Sequence, residues 1–453
     1  ENKIAPWRRT QRNQVDRGLK PEVSYEAVVL KVTPKAVTVA VGSLTGTLDI
    51  KPLDRINPDK KPLGQIFKRG QLYKVMVDKP VMGDETKVRF VFAPGPQAAI
   101  VSVDVATRHV EALVGGYDFG TSRFNRATQA RRQTGSAFKP IVYGAALAER
   151  LSTPAQVWLD APKPFALPGG EVWSPRNSDG KFKGPLTMRR ALALSRNVVA
   201  VRILETVSIP KVQSFARAMG ITSPLVDNYT MGLGSSELTL LEVTGAFATL
   251  PDRGRQDAPL IILSIHDSYG QPIFEARRDP SQAIPPDVAW LLSDMMTSVL
   301  SEGTARRVGK RFGRTAAGKT GTTNKSRDAW FMGFTPQKVT GVWVGNDNNM
   351  PLGKGVSGGS TAAPIWLSYM TEVHKKLPKK TFTKPPIGIV EAHIDPRNGL
   401  LAPEGHKPRR LEHFLSGTAP TKFAPKDDES SAGDFLLGQG GEEEDEDAEA
   451  PPE

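Results

Sequence analysis

Three short strings in this chain place hydroxyl, amine and amide side chains where acyl transfer can use them. In Thr134-Gly135-Ser136-Ala137-Phe138-Lys139-Pro140, a helix starting near Ser136 sets Ser136 and Lys139 at i and i+3 on one face, within reach of a shared proton. The Ser136 N–H then belongs to the unpaired first turn and is free to donate to a developing oxyanion. A serine hydroxyl is a weak nucleophile until a base removes its proton, and a lysine kept neutral by burial or neighbouring positive charge can serve. Pro140 fits less well, because at the end of the first turn it forgoes one helical hydrogen bond.

The second string is Ser195-Arg196-Asn197, which puts a hydroxyl and an amide on a tight turn between apolar helical runs. Ser195 can relay a proton between Lys139 and a leaving group, and Asn197 can hold a substrate amide carbonyl. The third is Lys319-Thr320-Gly321-Thr322-Thr323, in a run that reads as a strand. A glycine inside a strand often marks close approach of a ligand backbone. Lys319 and the hydroxyls of Thr320 and Thr322 can then bind a terminal carboxylate, with the Thr322 N–H as a second oxyanion donor. Each string alone has an ordinary reading: a helix start, an N-cap, a glycine-relieved hairpin strand. Together and in this order, S-x-x-K, S-x-N and K-T-G are the constellation of penicillin-binding proteins and serine β-lactamases.

Positioning these residues requires an α+β framework. The apolar periodicity predicts helices over 138–151, 187–206, 211–219, 239–249 and 287–301. IVSVDVATRHVEAL, over 100–113, predicts a hairpin turning at Ala106-Thr107, and strands return in TAAGKTGTT, DAWFMGF and KVTGVWVGN. Hairpin, helices, then strands is the order of a mostly antiparallel sheet with helices on its faces. Before it, five short β-branched runs over 23–92 predict a small barrel of the OB type. That barrel is rich in lysine but has no cluster of exposed aromatics, so a docking or spacer module is expected and nucleic-acid binding is not. The expected divisions are a connector over 1–20, the β-domain over 21–94, the catalytic domain over 97–375, an extension over 376–426 and an acidic disordered tail over 427–453.

Composition bounds the remaining alternatives. With 453 residues, 39% hydrophobic and 24% charged, the chain is ordinary globular material for two or three domains. It has no cysteine, which excludes disulfides, thiol catalysis and thiolate metal sites. Its six histidines show no metal-ligand spacing, so neither a metal site nor a Ser-His-Asp triad is expected, and no cofactor is called for. The net charge is +12, yet twelve acidic residues follow Lys426 without a Lys or Arg, so the preceding residues carry a net +24. A basic body suits an anionic polymer or surface, and equally a solvated exterior. The chain begins at Glu1, without Met or a signal-peptide pattern, and reads as a piece of something longer.

The wording around the strings closely resembles class A, bifunctional penicillin-binding proteins of the 1a type. The resemblance is carried by FNRATQARRQTGSAFKP, WSPRNSDGKFKGPLTMRRALALSRNVVAVRI, MGLGSSELTLLEVTGAFATL, EGTAR, GKTGTTNKSRDAWFMGF and VWVGND, and runs from about 98 to 421. It implies a penicillin-binding transpeptidase fold preceded by an OB-like domain. Ser136 is then the nucleophile and Lys139 its base, with Ser195 and Asn197 as the second wall and Lys319, Thr320, Gly321 and Thr322 as the third. It implies donor and acceptor peptidoglycan stem peptides as substrates and β-lactams as inhibitors. It also implies a place on the periplasmic face of the bacterial inner membrane, with an outer-membrane activator protein or a second copy as candidate partners. The family's glycosyltransferase domain and membrane anchor are absent from this sequence, so polymerising activity is not assigned to it. Thr134 stands where many relatives have proline, a departure expected to be harmless. A β-lactamase would need a deacylating carboxylate, and Glu205 lies in an apolar helical run with no E-x-x-L-N pattern after Asn197.

Overall fold

The computed structural model describes residues 18–21, 23–50, 61–82, 88–93, 95–120, 122–167, 169–353, 355–385 and 387–425. The expected acidic tail, and the connector apart from residues 18–20, lie outside them. The chain divides after Gly95 into two units.

In the first unit, β1 (Tyr25–Val32), β2 (Val37–Val41), β3 (Leu44–Leu48), β4 (Leu72–Val77) and β5 (Val88–Phe92) close into a barrel in the order β1-β2-β3-β5-β4. All its pairings are antiparallel except β3 with β5. Alternate β-branched and aromatic residues fill the interior, among them Val29, Val39, Val75 and Phe90, all fully buried. This is the OB-like barrel that the five short runs predict.

The second unit is built on one five-stranded antiparallel sheet. Its strands are β6 (Gln97–Asp104), β7 (Val110–Val114), β10 (Ala317–Thr322), β11 (Asp328–Phe334) and β12 (Lys338–Gly345), ordered β10-β11-β12-β6-β7. A shorter ladder joins β8 (Val157–Asp160) to β9 (Gly184–Thr187), pairing Asp160 with Gly184. Helices cover both faces of the sheet: α1 (Lys139–Ala148), α3 (Asn197–Val207), α4 (Leu240–Ala248) and most of α5 (Pro286–Ser301) share one core with Val101, Trp330 and Trp343, while α6 (Ala363–Val373) packs with Phe331 and Val342 on the other side. In α1 every residue through Leu147 is buried, so it runs through the core rather than over it. Three tryptophans lie against the sheet with their N–H groups satisfied: Trp330 by the Gln133 carbonyl, Trp343 by Asp328 and Trp366 by the Gly333 carbonyl. The expected extension contributes a last hairpin, β13 (Ile389–Ile394) with β14 (Arg410–Leu415).

Two local expectations change. The helix expected over 187–206 is two helices, α2 (Met188–Ala193) and α3, broken where Ser195 takes a left-handed φ of 58°. Pro140 is not awkward: a 3-10 turn over Gly135–Phe138 precedes α1, so Pro140 falls in the α-helix's first positions, where the missing N–H has no partner to lose.

Candidate active site

All three strings meet at the open edge of the sheet. The 3-10 turn explains why Ser136 and Lys139 share a face, since i and i+3 side chains eclipse in that geometry. The Ser136 side chain is half-buried, and neither its hydroxyl nor its N–H takes a hydrogen-bond partner among the described residues. Lys139, by contrast, is fully buried. Its Nζ donates to the Ser195 carbonyl at 2.7 Å and to Asn197 Oδ1 at 2.7 Å, with Ser195 Oγ at 3.4 Å. Lys319 is also fully buried, and its Nζ donates to Ser195 Oγ at 2.8 Å and to the Thr320 carbonyl at 3.0 Å. The Ser195 hydroxyl therefore sits between two amines.

Neither amine keeps an ordinary lysine pKa. Burial, reinforced by the charges of Lys319 and Arg196, holds Lys139 well below the usual amine range, and Asp160 opposes that only in part. Burial alone pushes Lys319 down to about 7. A neutral amine has two N–H bonds and one lone pair. At a neutral Lys139 the two 2.7 Å acceptors take both N–H bonds and leave one lone pair able to accept a proton.

Strand β10 is the outermost of the sheet, and Thr323 N donates to the Asp328 carbonyl. By the alternation of an antiparallel ladder, the N–H groups of Thr320 and Thr322 point away from β11, to the open edge. The Thr322 N–H, expected as a second oxyanion donor beside the Ser136 N–H, is thus turned to the open edge. Side chains alternate as well: Lys319 and Gly321 face the serine turn, whereas Thr320 and Thr322 face away. The Thr320 hydroxyl pairs with Thr304 Oγ1 at 2.7 Å, and Thr322 Oγ1 accepts from the Gly358 N–H at 3.0 Å, keeping its own proton to donate.

Two glycines fix the spacing between serine and strand. Gly135 has a φ of +54°, and a Cβ there would lie 2.7 Å from the Thr322 carbonyl oxygen; its N–H donates to the Gly234 carbonyl. A Cβ on Gly321 would lie 2.4 Å from the Thr134 carbonyl oxygen and 3.0 Å from Ala137 Cβ. At Gly321 the serine turn itself makes a close approach, on the face where a side chain would stand.

Sequence reasoning missed the residues behind Ser195-Arg196-Asn197. Asp160, Asn177, Asp179 and the Lys181 carbonyl all engage that turn. The only hint was the Asn-Ser-Asp-Gly turn chemistry of residues 177–180. Thr134 carries an unadvertised cost, because its hydroxyl is buried without a partner among the described residues. Glu205 is engaged by Lys163 near the surface. Among the described residues, the acidic and imidazole groups of Asp294, Glu412 and His413 converge closely enough to hold an ion, but Arg189 occupies that position, donating to both carboxylates.

Residues 98–371 match the family model described as penicillin binding protein transpeptidase domain. Penicillin-binding protein 1A of Neisseria lactamica is 38% identical over 382 residues, which are 80% of this chain and 46% of that protein. Penicillin-binding protein 1A of Aquifex aeolicus is 38% identical over 328 residues, 72% of this chain and 44% of that protein. The chain thus spans about half the length of the curated relatives it matches. Among solved structures, penicillin-binding protein 1A from Haemophilus influenzae superposes with a TM-score of 0.71 at 27% identity, covering 92% of this chain and 66% of that one. The PonA1 protein from Mycobacterium tuberculosis, in complex with penicillin V, gives a TM-score of 0.57 at 28% identity over 65% of this chain and 82% of its own.

Proposed function

This chain belongs to the penicillin-binding protein transpeptidase family, and from that premise we propose that it is the D,D-transpeptidase part of a peptidoglycan-synthesising enzyme, with Ser136 as nucleophile. The observation that carries the reading is the state of Lys139: buried, depressed, and with both N–H bonds spent on fixed acceptors.

In the first half-reaction Ser136 Oγ bonds to the carbonyl carbon of the penultimate D-alanine as its proton passes to Lys139 Nζ. The Ser136 and Thr322 N–H groups meet the charge that develops on the carbonyl oxygen. The C–N bond then breaks, and the proton passes from Lys139 through Ser195 to the departing D-alanine amine, leaving an ester on Ser136. In the second half-reaction an acceptor amine attacks the ester carbon and loses a proton to Lys139. Ser136 departs with that proton, and the cross-linking amide remains. Asn197 retains one amide N–H for the donor peptide carbonyl, since its other donor is bound to the Arg176 carbonyl. Protonated Lys319 and the Thr322 hydroxyl meet the terminal carboxylate, with Thr320 supporting the strand.

A β-lactam follows the first half only: its ring C–N bond opens, the nitrogen takes the proton, and the ester stays. That the relative PonA1 was solved with penicillin V supports this. The proposed setting is the periplasmic face of the bacterial inner membrane; among the described residues no helix is long and apolar enough to cross a membrane. Fluorescent penicillin is expected to label the chain and to fail with Ser136→Ala. Stable labelling of Ser136→Ala overturns the assignment.

A further inference from the structure

The residue that opens the turn presenting both short acceptors to Lys139 is held in an unfavourable backbone conformation. Ser195 has a φ of 58°, in the left-handed region that costs a β-carbon-bearing residue on the order of 1 kcal/mol. Such a conformation persists only where the surroundings over-determine it. Two backbone bonds begin the work, from Ser195 N to the Leu192 carbonyl at 3.1 Å and from Arg196 N to the Ala191 carbonyl at 2.9 Å. The rest converges on Asp160, at the end of β8 and fully buried.

Asp160 Oδ2 accepts from Arg196 Nε at 2.8 Å and from the Lys183 N–H at 3.0 Å, while its Oδ1 accepts from Asn177 Nδ2 at 2.8 Å. Asn177 in turn accepts the N–H of Asn197 at 2.7 Å. Arg196 spends its remaining donors on Asp179 at 2.9 Å and on the Lys181 carbonyl. The segment 177–183 is thereby wrapped over the turn that faces Lys139, and one buried carboxylate ties strand, segment and turn together.

We propose that Asp160 and Asn177 are positioning residues of the acylation step: with Arg196 they lock the Ser195–Asn197 turn so that its carbonyl and amide oxygen address the Lys139 amine. This rests on the reading of Ser136 and Lys139 given above. The groups facing Lys139 are Lys319 from β10, Arg196 from the turn and Asp160 from β8; Tyr143, on α1 itself, is fully buried and kept protonated by burial and the Asp160 charge. Asp160 and Arg196 therefore act on the amine with opposite signs, and each restrains the other's effect.

The opposite signs give a test that a merely structural role cannot imitate. The second-order rate of acylation by fluorescent penicillin is measured against pH for the full chain and for Asp160→Asn, Arg196→Met and Asn177→Ala. The acid limb of the wild-type profile reports the base. Asp160→Asn removes the charge that favours the protonated amine, so its limb moves to lower pH. Arg196→Met removes a charge that disfavours it, so its limb moves to higher pH. Each shift is on the order of one pH unit. Asn177→Ala lowers the plateau rate at least about tenfold and leaves the limb in place. Limbs that superimpose on the wild type, or that move in the same direction, overturn the proposal. If the buried variants fail to fold, Asp179→Asn takes their place, since that carboxylate is 42% exposed on its side chain. A smaller downward shift is expected there, and no shift overturns the proposal. Failure of the wild-type chain to be labelled overturns the reading of Ser136 instead, so the two failures are told apart.

Discussion

Lys319 Nζ donates to Ser195 Oγ at 2.8 Å in a site where Lys319 is fully buried and, among the described residues, no carboxylate contacts its amine. Folding therefore asks an amine to leave water without a counter-ion, and the protein meets the demand by lowering its pKa to about 7. The cost grows as pH falls from about 10 to about 7 and is constant below that, where folded and unfolded chains both hold the proton.

That relationship predicts a slope in stability. An unfolded lysine titrates near 10.4, so between about 7 and 10 the unfolded chain holds a proton that folded Lys319 lacks. Stability must then rise with pH over that window, by at most about 1.4 kcal/mol per pH unit for this group. Urea unfolding at pH 7.0 and 9.5 is the measurement. Lys319→Met should unfold at higher urea than wild type at pH 7 and show a smaller gain at pH 9.5; an unchanged gain contradicts the buried, depressed amine.

Asn197→Asp keeps the shape of the turn and sets a carboxylate where Asn197 Oδ1 accepts from Lys139 at 2.7 Å. The new charge stabilises protonated Lys139 and withdraws the base. Acylation at pH 7 is expected to fall about a hundredfold or more, recovering as pH rises past the restored lysine pKa. A rate equal to wild type at pH 7 would remove Lys139 from the role of base.

Gly321→Ala puts a methyl group 2.4 Å from the Thr134 carbonyl oxygen and must push β10 away from the serine turn. Overpacking of this kind costs about 1–3 kcal/mol. Melting temperature should drop modestly while penicillin labelling collapses, because the displaced element carries the Thr322 N–H. Retained labelling would show that the oxyanion is held elsewhere.

Thr134→Pro should stabilise the protein. Thr134 has φ −77°, within the range proline imposes, and Gln133 before it is extended, as a residue preceding proline prefers. Its N–H makes no backbone hydrogen bond among the described residues, and its buried hydroxyl has no partner. Removing that hydroxyl should add about 1 kcal/mol with acylation unchanged. A loss of stability would reveal a partner for one of these groups.

Nitrocefin should give a single burst, one equivalent per chain, rather than steady turnover. The carboxylate weighed as a deacylating base, Glu205, is half-exposed and paired with Lys163. Sustained hydrolysis would place a general base in the site after all.

The site was readable because its chemistry needs rare side-chain types at fixed local spacing, and because β11 and β12 each read as a strand from their apolar runs. The serine turn and the edge strand appeared where their strings stood. What stayed hidden is non-local. Asp160 and Asn177 reach Arg196 and Asn197 across 36 and 20 residues, and such pairings leave no periodic trace in the chain. The break at Ser195 was half legible: the string was read as a tight turn although helical periodicity runs across it, and what holds the turn is a pair of backbone bonds together with the Asp160-centred bonds. Gly321 was read as a close approach, and the serine turn that fills the space over it was not foreseen, since a glycine signals missing volume without naming what fills it.

The seam between the serine turn and β10 is set by hydrogen atoms at Gly135 and Gly321, where any other residue would place carbon. A gap measured in this way has only one setting, because the next larger side chain is already too large. A substitution at either position therefore moves the whole turn or the whole strand, and with it the distance between the Ser136 hydroxyl and the outward N–H groups of β10.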